Sequence, residues 1–189
     1  MAKIIRGLIF SYLLLYYKLK CKILYLFYGG EGISMLVENL PKVFIIPLLK
    51  KYGAKIGDKT NIDRGLTLHK IRNFEDLGKI KIENNVHIGR NTLLDLSAEI
   101  LIGTDTALGA ACQIWTHTGN WTNDRKDEYN ITNPVSIGKA VICYSGVIIS
   151  QNVKIGDFAR VGAGSVVIRN IDDNTFVAGN PAKFIKQIE

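Results

Sequence analysis

Aliphatic residues recur every six positions over most of this chain. The first run is Ile56, Ile62 and Leu68, and the spacing returns at Ile82, Ile88, Leu94 and Ile100. The register then moves by two, to Ile102, Leu108 and Ile114. A last series, Ile137, Cys143, Ile149, Ile155, Val161 and Val167, runs without error. A period of six turns an α-helix through about 600° and scatters the apolar positions around it, which excludes a helix. Six is even, so the same period keeps one face of a strand. Glycine follows the aliphatic residue in "IGDKTN", "IGRNTL", "IGTDTA", "LGAACQ", "IGKAVI", "IGDFAR" and "VGAGSV". A glycine at a fixed offset marks a corner, where a side chain would clash or φ turns positive. Four places after the aliphatic residue stands a small or β-branched one, as at Thr60, Thr92, Thr106, Cys112, Val141, Val153 and Ser165. Each hexad is therefore expected to be a short strand and a turn, stacked coil on coil as a parallel β-helix. The unbroken hexads from 137 to 172 argue against chance spacing in a β-sandwich.

Two insertions interrupt the array, "HKIRNFEDLGK" at about 69–79 and "THTGNWTNDRKDEYNITNP" at about 116–134. Long loops on a solenoid often carry function. Residues 1–53 follow a different pattern and form a separate apolar and basic helical segment ahead of the repeat domain, 54–189. "GLIFSYLLLYY" is an apolar run, Lys18, Lys20 and Lys22 follow it, and "GGEG" ends the stretch. The lysines come too early for a spanning helix, which needs about 20 apolar residues, and no small-residue cleavage site for a signal peptide is present. Residues 1–28 are expected either to lie in a membrane interface, with lysines on anionic lipid, or to pack on the domain or on a neighbouring subunit.

Composition adds the following. A length of 189 residues allows one ordinary domain with a sizeable core, and 47% apolar content excludes disorder as the default. The formal net charge of +7 favours an anionic partner. The basic residues are spread out with no nucleic-acid-binding pattern, so nucleic acid is not an expected partner. Cys21, Cys112 and Cys143 form no CxxC pair and no zinc spacing with histidine. They are expected as reduced thiols in a cytoplasmic setting, with Cys112 and Cys143 in the core.

Of the three histidines, His87 is expected on the solvated surface, and His69, opening the first insertion, on the surface or at the edge of an acceptor site. His117 stands in the second insertion between Trp115 and Trp121, where the repeat gives no reason for it. Histidine titrates near neutral pH and can take and return a proton. The tryptophans could anchor the loop, stack on a sugar or shield the site from water.

The hexads, the loop carrying "THTGN" and the ending "VGAGSVVIRNIDDNTFVAGNPAKFI" together resemble the hexapeptide-repeat acyltransferases, most nearly the sugar and polysaccharide O-acetyltransferases. The resemblance covers about residues 54–188. It implies an all-β fold with a left-handed parallel β-helix, a homotrimer, and acetyl-CoA in the groove between subunits. It implies His117 as the general base acting on an acceptor hydroxyl of a sugar or glycan. It also implies Asp95 as an acidic residue that binds the acceptor or orients His117, and Asn91 as an acceptor-side residue. Backbone around Ser145 and Ala163 matches positions lining the pantetheine arm. Arg169 and Lys183 match basic positions near the CoA phosphates, and Asn180 lies in the "NPA" turn beside the cofactor. The "WIG" that many relatives carry after the loop is Ile142, Cys143, Tyr144 here, and a frequent "PG" corner is Gln151, Asn152. The implied activity is capsule, O-antigen or exopolysaccharide O-acetylation, at the inner face of the membrane if the N-terminus binds lipid. The same fold also carries out N-acetylation of nucleotide-linked amino sugars, serine acetylation and antibiotic acetylation. β-Helical zinc hydratases share the repeat, but their close "HxxxxH" ligand pair is missing, so no metal is expected.

Overall fold

The computed structural model of the chain describes residues 2–119 and 131–188. From Lys55 onward the chain winds through three parallel sheets, and the hexad aliphatics form one buried row in each. The first row is Ile56, Ile82, Ile102, Ile137 and Ile155, with Ile171 bridged to its end. The second is Ile62, Ile88, Leu108, Cys143, Val161 and Val177. The third is Leu68, Leu94, Ile114, Ile149 and Val167. Each coil thus uses three hexads, and neighbouring coils lie about 4.8 Å apart along the axis, as hydrogen-bonded strands must. The two-residue shift at Ile100 falls inside one strand, Ile100–Ile102, whose two isoleucines are both buried in the first sheet.

The corner glycines are placed by close approach rather than by φ. A Cβ on Gly89 would meet the backbone nitrogen of Ala110, one coil on, at 2.6 Å. Positive φ falls two places later in the hexad instead, at Lys59, Asn85, Asn91, Asp105, Ala111, Ala140, Asn152 and Phe158. The small residue four places after the aliphatic turns inward, and Thr92, Thr106 and Ser165 are buried there, each bonded to backbone.

Three helices precede the coils: α1 (Ala2–Tyr28), α2 (Gly30–Asn39) and α3 (Lys42–Lys51). Their buried residues join those of the coils in one core. α2 lies so close to the first insertion that a Cβ on Gly30 would stand 1.8 Å from the carbonyl oxygen of Ile71. Phe10 stacks on Phe44 at 5.0 Å between ring centroids, and Tyr52 on Phe74 at 4.2 Å. The inner side of α1 is thus packed on the domain, with Cys21 buried. Its outer side leaves Ile4, Leu8, Tyr12, Leu15, Leu19 and Leu26 exposed. Among the described residues no helix is long and apolar enough to cross a membrane.

Candidate active site

Both insertions leave the β-helix at one edge, the corner that follows the third sheet. The residue after the third-sheet aliphatic is His69 in the first coil, Asp95 in the second and Trp115 in the third. Regular stacking therefore places these three side chains side by side. The chain then continues from Trp115 into Thr116 and His117, and His117–Thr118 pairs antiparallel with Ile131–Thr132. That short ribbon lifts His117 off the wall of the helix.

Asp95 has no solvent exposure, and both its carboxylate oxygens are filled. Oδ2 accepts the Thr116 backbone N–H at 2.8 Å and lies 2.6 Å from Nδ1 of His117. Oδ1 accepts the Ser97 hydroxyl at 3.0 Å. The Thr116 hydroxyl donates to the Asp95 carbonyl at 2.7 Å and accepts the Ala98 N–H at 2.9 Å. Burial pushes the Asp95 carboxyl up, but hydrogen bonds from His117, Thr116 and Ser97 outweigh it and hold the group below the usual carboxylate range. An ionised carboxylate can only accept, so Nδ1 carries the hydrogen and Nε2 keeps the free lone pair. The side chain of His117 is 17% exposed and lines an open cavity of about 250 Å³ with Lys70, Arg72, Ser97 and Thr132. A histidine fixed through Nδ1, with its other nitrogen available to a cleft, is built to accept a proton.

His69 stacks on His117 with ring centroids 5.5 Å apart, and Trp115 meets His69 edge-on at 5.3 Å. The Trp115 Nε1–H donates to the Gln113 side chain at 3.0 Å. Burial is the main cause lowering the His69 imidazole below its ordinary value; Asp95 pulls it up, and His117 and Lys70 push it down. This favours the uncharged form of His69 beside His117. The ligand atoms of His69, Asp95 and His117 lie within 4.8 Å of one another, a spacing a metal ion could bridge. The hydrogen bonds already filling both oxygens of Asp95 and Nδ1 of His117 match a proton-accepting dyad better than a coordination sphere.

The sequence comparison decides what kind of protein carries this dyad. A protein of Schizosaccharomyces pombe named as an acetyltransferase is 30% identical over 165 residues, covering 75% of this chain and 79% of its own. The chain belongs to the hexapeptide-repeat acetyltransferases. A maltose O-acetyltransferase of Clostridium difficile shares the fold with a TM-score of 0.66 at 26% identity, over 94% of this chain and 89% of that one. A hexapeptide-repeat acetyltransferase of Vibrio cholerae, solved with acetyl coenzyme A, matches with a TM-score of 0.64 at 20% identity, over 92% and 87%. Of further curated relatives, 33–35% identical and including serine and galactoside acetyltransferases, the chain spans between 29% and 57% of their own length. No protein-family model matches the sequence.

The remaining residues expected in this acetyltransferase site do not all gather at His117. Asn91 has positive φ at a different corner and lines a groove with Glu38, Asn39, Arg64 and Arg90; it lines neither the His117 cavity nor the one beside His69, although Glu38 borders the latter too. Ser145 and Ala163 are exposed on that same other edge, between the second and third sheets, with Gly164 donating to the Ser145 carbonyl across the coils. Asn180 is exposed beyond them. Arg169 and Lys183 line a groove of about 310 Å³ at the C-terminal end, with Ile171 and Phe184. Arg169 is on the His117 edge, two coils further along. His87 is exposed, with Nδ1 2.9 Å from Asn61 and Nε2 3.8 Å from Asp63. Trp121 lies outside the described residues. Cys112 and Cys143 are buried in the coils, where burial raises both thiols, and burial pushes Cys21 up to about 11.

Proposed function

We propose that this protein is an O-acetyltransferase that moves the acetyl group of acetyl-CoA to a hydroxyl of a sugar or glycan. The 2.6 Å bond between Asp95 and His117 carries the reading, because it gives the loop histidine a fixed tautomer with its lone pair toward the cavity. The acceptor O–H proton passes to Nε2 of His117 as the oxygen attacks the thioester carbonyl. The C–S bond then breaks, the acetyl ester forms, and the departing thiolate takes the proton back from the imidazolium. Asp95 supports the imidazolium while the charge exists. No covalent acyl-enzyme is needed.

Ser145, Ala163 and Asn180 are read as the cofactor wall, with Arg169 and Lys183 toward the CoA phosphates. These residues occupy a different edge from His117, apart from Arg169 and the groove it shares with Lys183. A homotrimer of left-handed helices, with one subunit's edge facing the next subunit's His117, would bring them together. Asn91 would reach an acceptor only across such an interface. The exposed apolar side of α1 and its basic residues Arg6, Lys18, Lys20 and Lys22, with no acidic residue between 2 and 28, support attachment to the cytoplasmic face of an anionic membrane. Lys18, Lys20 and Lys22 changed together to glutamate should then abolish co-sedimentation with phosphatidylglycerol vesicles.

The test of the main reading is incubation with acetyl-CoA and a panel of sugars, amino sugars and serine, following thiol release and product mass. An acetyl ester on a sugar supports it. Acetylation of amines or of serine alone would reject it in favour of the other activities of this family.

A further inference from the structure

The cavity beside His117 has an unusual wall. Its described lining residues are Lys70, Arg72, Ser97, His117 and Thr132, with two fixed cations and no carboxylate. A second cavity of about 500 Å³, between α2 and the strand Thr67–His69, shares Lys70 and Arg72 and is lined by His69 and by the acidic Glu31 and Glu38 of α2 as well. The two cations therefore line both openings, with His117 in the first and His69 in the second.

Glu31 and Glu38 face these cations only in the second cavity, and no described carboxylate lines the His117 cavity with them. Lys79 is committed, with Nζ 2.7 Å from Asp76 Oδ1 and donating to the carbonyls of Leu96 at 2.7 Å and Ser97 at 3.2 Å. Asp76 spends Oδ2 on the Arg72 and Asn73 backbone N–H groups. Only a loose 3.5 Å contact is left to the Arg72 guanidinium, which is 77% exposed. Lys70 has no ion-pair partner among the described residues, and its φ is +55°. The turn after His69 thus holds Lys70 in the left-handed region, which a lysine rarely adopts.

Position along the axis separates this cluster from the cofactor. On the one edge, Lys70 and Arg72 follow the first coil, His117 the third and Arg169 the fifth. Cations thus flank the base on both sides, and the pair at Arg169 and Lys183 is the one assigned to the CoA phosphates.

We propose that Lys70 and Arg72 form an anion subsite for the acceptor, so that the sugar acetylated here carries a phosphate or carboxylate near the reacting hydroxyl. This rests on the acetyl-transfer reading above and names its acceptor class. A guanidinium suits either anion in a paired geometry, and an ammonium adds a point charge.

The test is calorimetric binding to the full chain of glucose 1-phosphate, glucuronate and glucose, each with and without saturating CoA. Lys70→Met and Arg72→Met are compared with the parent, their folding checked by thermal unfolding. The charged sugars are expected to bind about tenfold or more tightly than glucose, and each variant to remove most of that margin while CoA affinity stays put. The stronger of the two charged sugars identifies the anion. Charged sugars that bind no better than glucose, or not at all, overturn the subsite. So does loss of their binding when CoA is present, since the cations would then serve the cofactor. Failure of the parent reading looks different: acetyl-CoA yields no sugar ester, whatever the charge of the acceptor that binds.

Discussion

Replacing Asp95 by asparagine separates the charge of the dyad from its geometry. The two side chains have the same shape. The amide oxygen satisfies the site best facing the Thr116 N–H and the His117 Nδ1–H, where Oδ2 now sits at 2.8 and 2.6 Å. The amide NH2 then meets the Ser97 hydroxyl, which can accept as well as donate. The tautomer of His117 survives and only the buried negative charge is lost. A hydrogen bond to a charged partner is worth about 1.5–3 kcal/mol, against about 0.5–1.5 for a neutral one. The imidazolium proposed to form during transfer thus loses roughly 1–2 kcal/mol of support, or about 5- to 30-fold in kcat. Steady-state thiol release with an accepted sugar measures this, and KM for acetyl-CoA should stay within about twofold because Asp95 lies away from the proposed cofactor groove. A kcat equal to the parent's would refute the idea that the carboxylate charge assists the base. A loss as deep as that of a His117 deletion would show that the amide turns its N–H to Nδ1 and imposes the wrong tautomer.

Other consequences are equally concrete. Burial raises the Asp76 carboxyl, but Lys79 and the backbone and side chain of Arg72 lower it by more, so its folded value is depressed. A depressed carboxylate stabilises the fold above its unfolded value and loses that contribution as pH falls through the folded one. Asp76→Asn should therefore cost about 1–3 kcal/mol near neutral pH, and denaturant midpoints of parent and variant should draw together as pH falls through the depressed folded value. Gly30→Ala drives a methyl into the Ile71 carbonyl, which should cost about 1–3 kcal/mol in thermal unfolding and shift acceptor KM through the cavity that α2 lines. Chelation with EDTA should leave acetyl transfer unchanged, because Asp95 spends both oxygens on hydrogen bonds; a loss of activity restored by zinc would recast the His69, Asp95 and His117 cluster as a metal site.

How much could be read from the sequence differs between wall and site. The three buried rows follow directly from the hexad aliphatics, because an even period fixes both the face and the stacking of a strand. The corner glycines were open between clash and positive φ, and only the coil above Gly89 decides for clash. His117 was legible because it stands where the period fails. His69 reads from the sequence as surface or acceptor edge, yet a sharper signal is present: Leu68, Leu94 and Ile114 share one register, so the residues after them must be neighbours. The first insertion disguises it by making the first coil longer than the second. Lys70 and Arg72 are not legible for another reason, since nothing in "HKIRNF" tells where a loop folds back. Asn91 was assigned by resemblance alone, and stacking puts it on another edge.

The most direct test of the dyad is the turnover of His117→Ala in acetyl transfer from acetyl-CoA to an accepted sugar, with CoA binding measured in parallel. Loss of the base predicts a fall in kcat of about 10²- to 10⁴-fold, with CoA affinity intact. Turnover within a few-fold of the parent would contradict proton removal by His117 and leave the loop histidine without its chemistry.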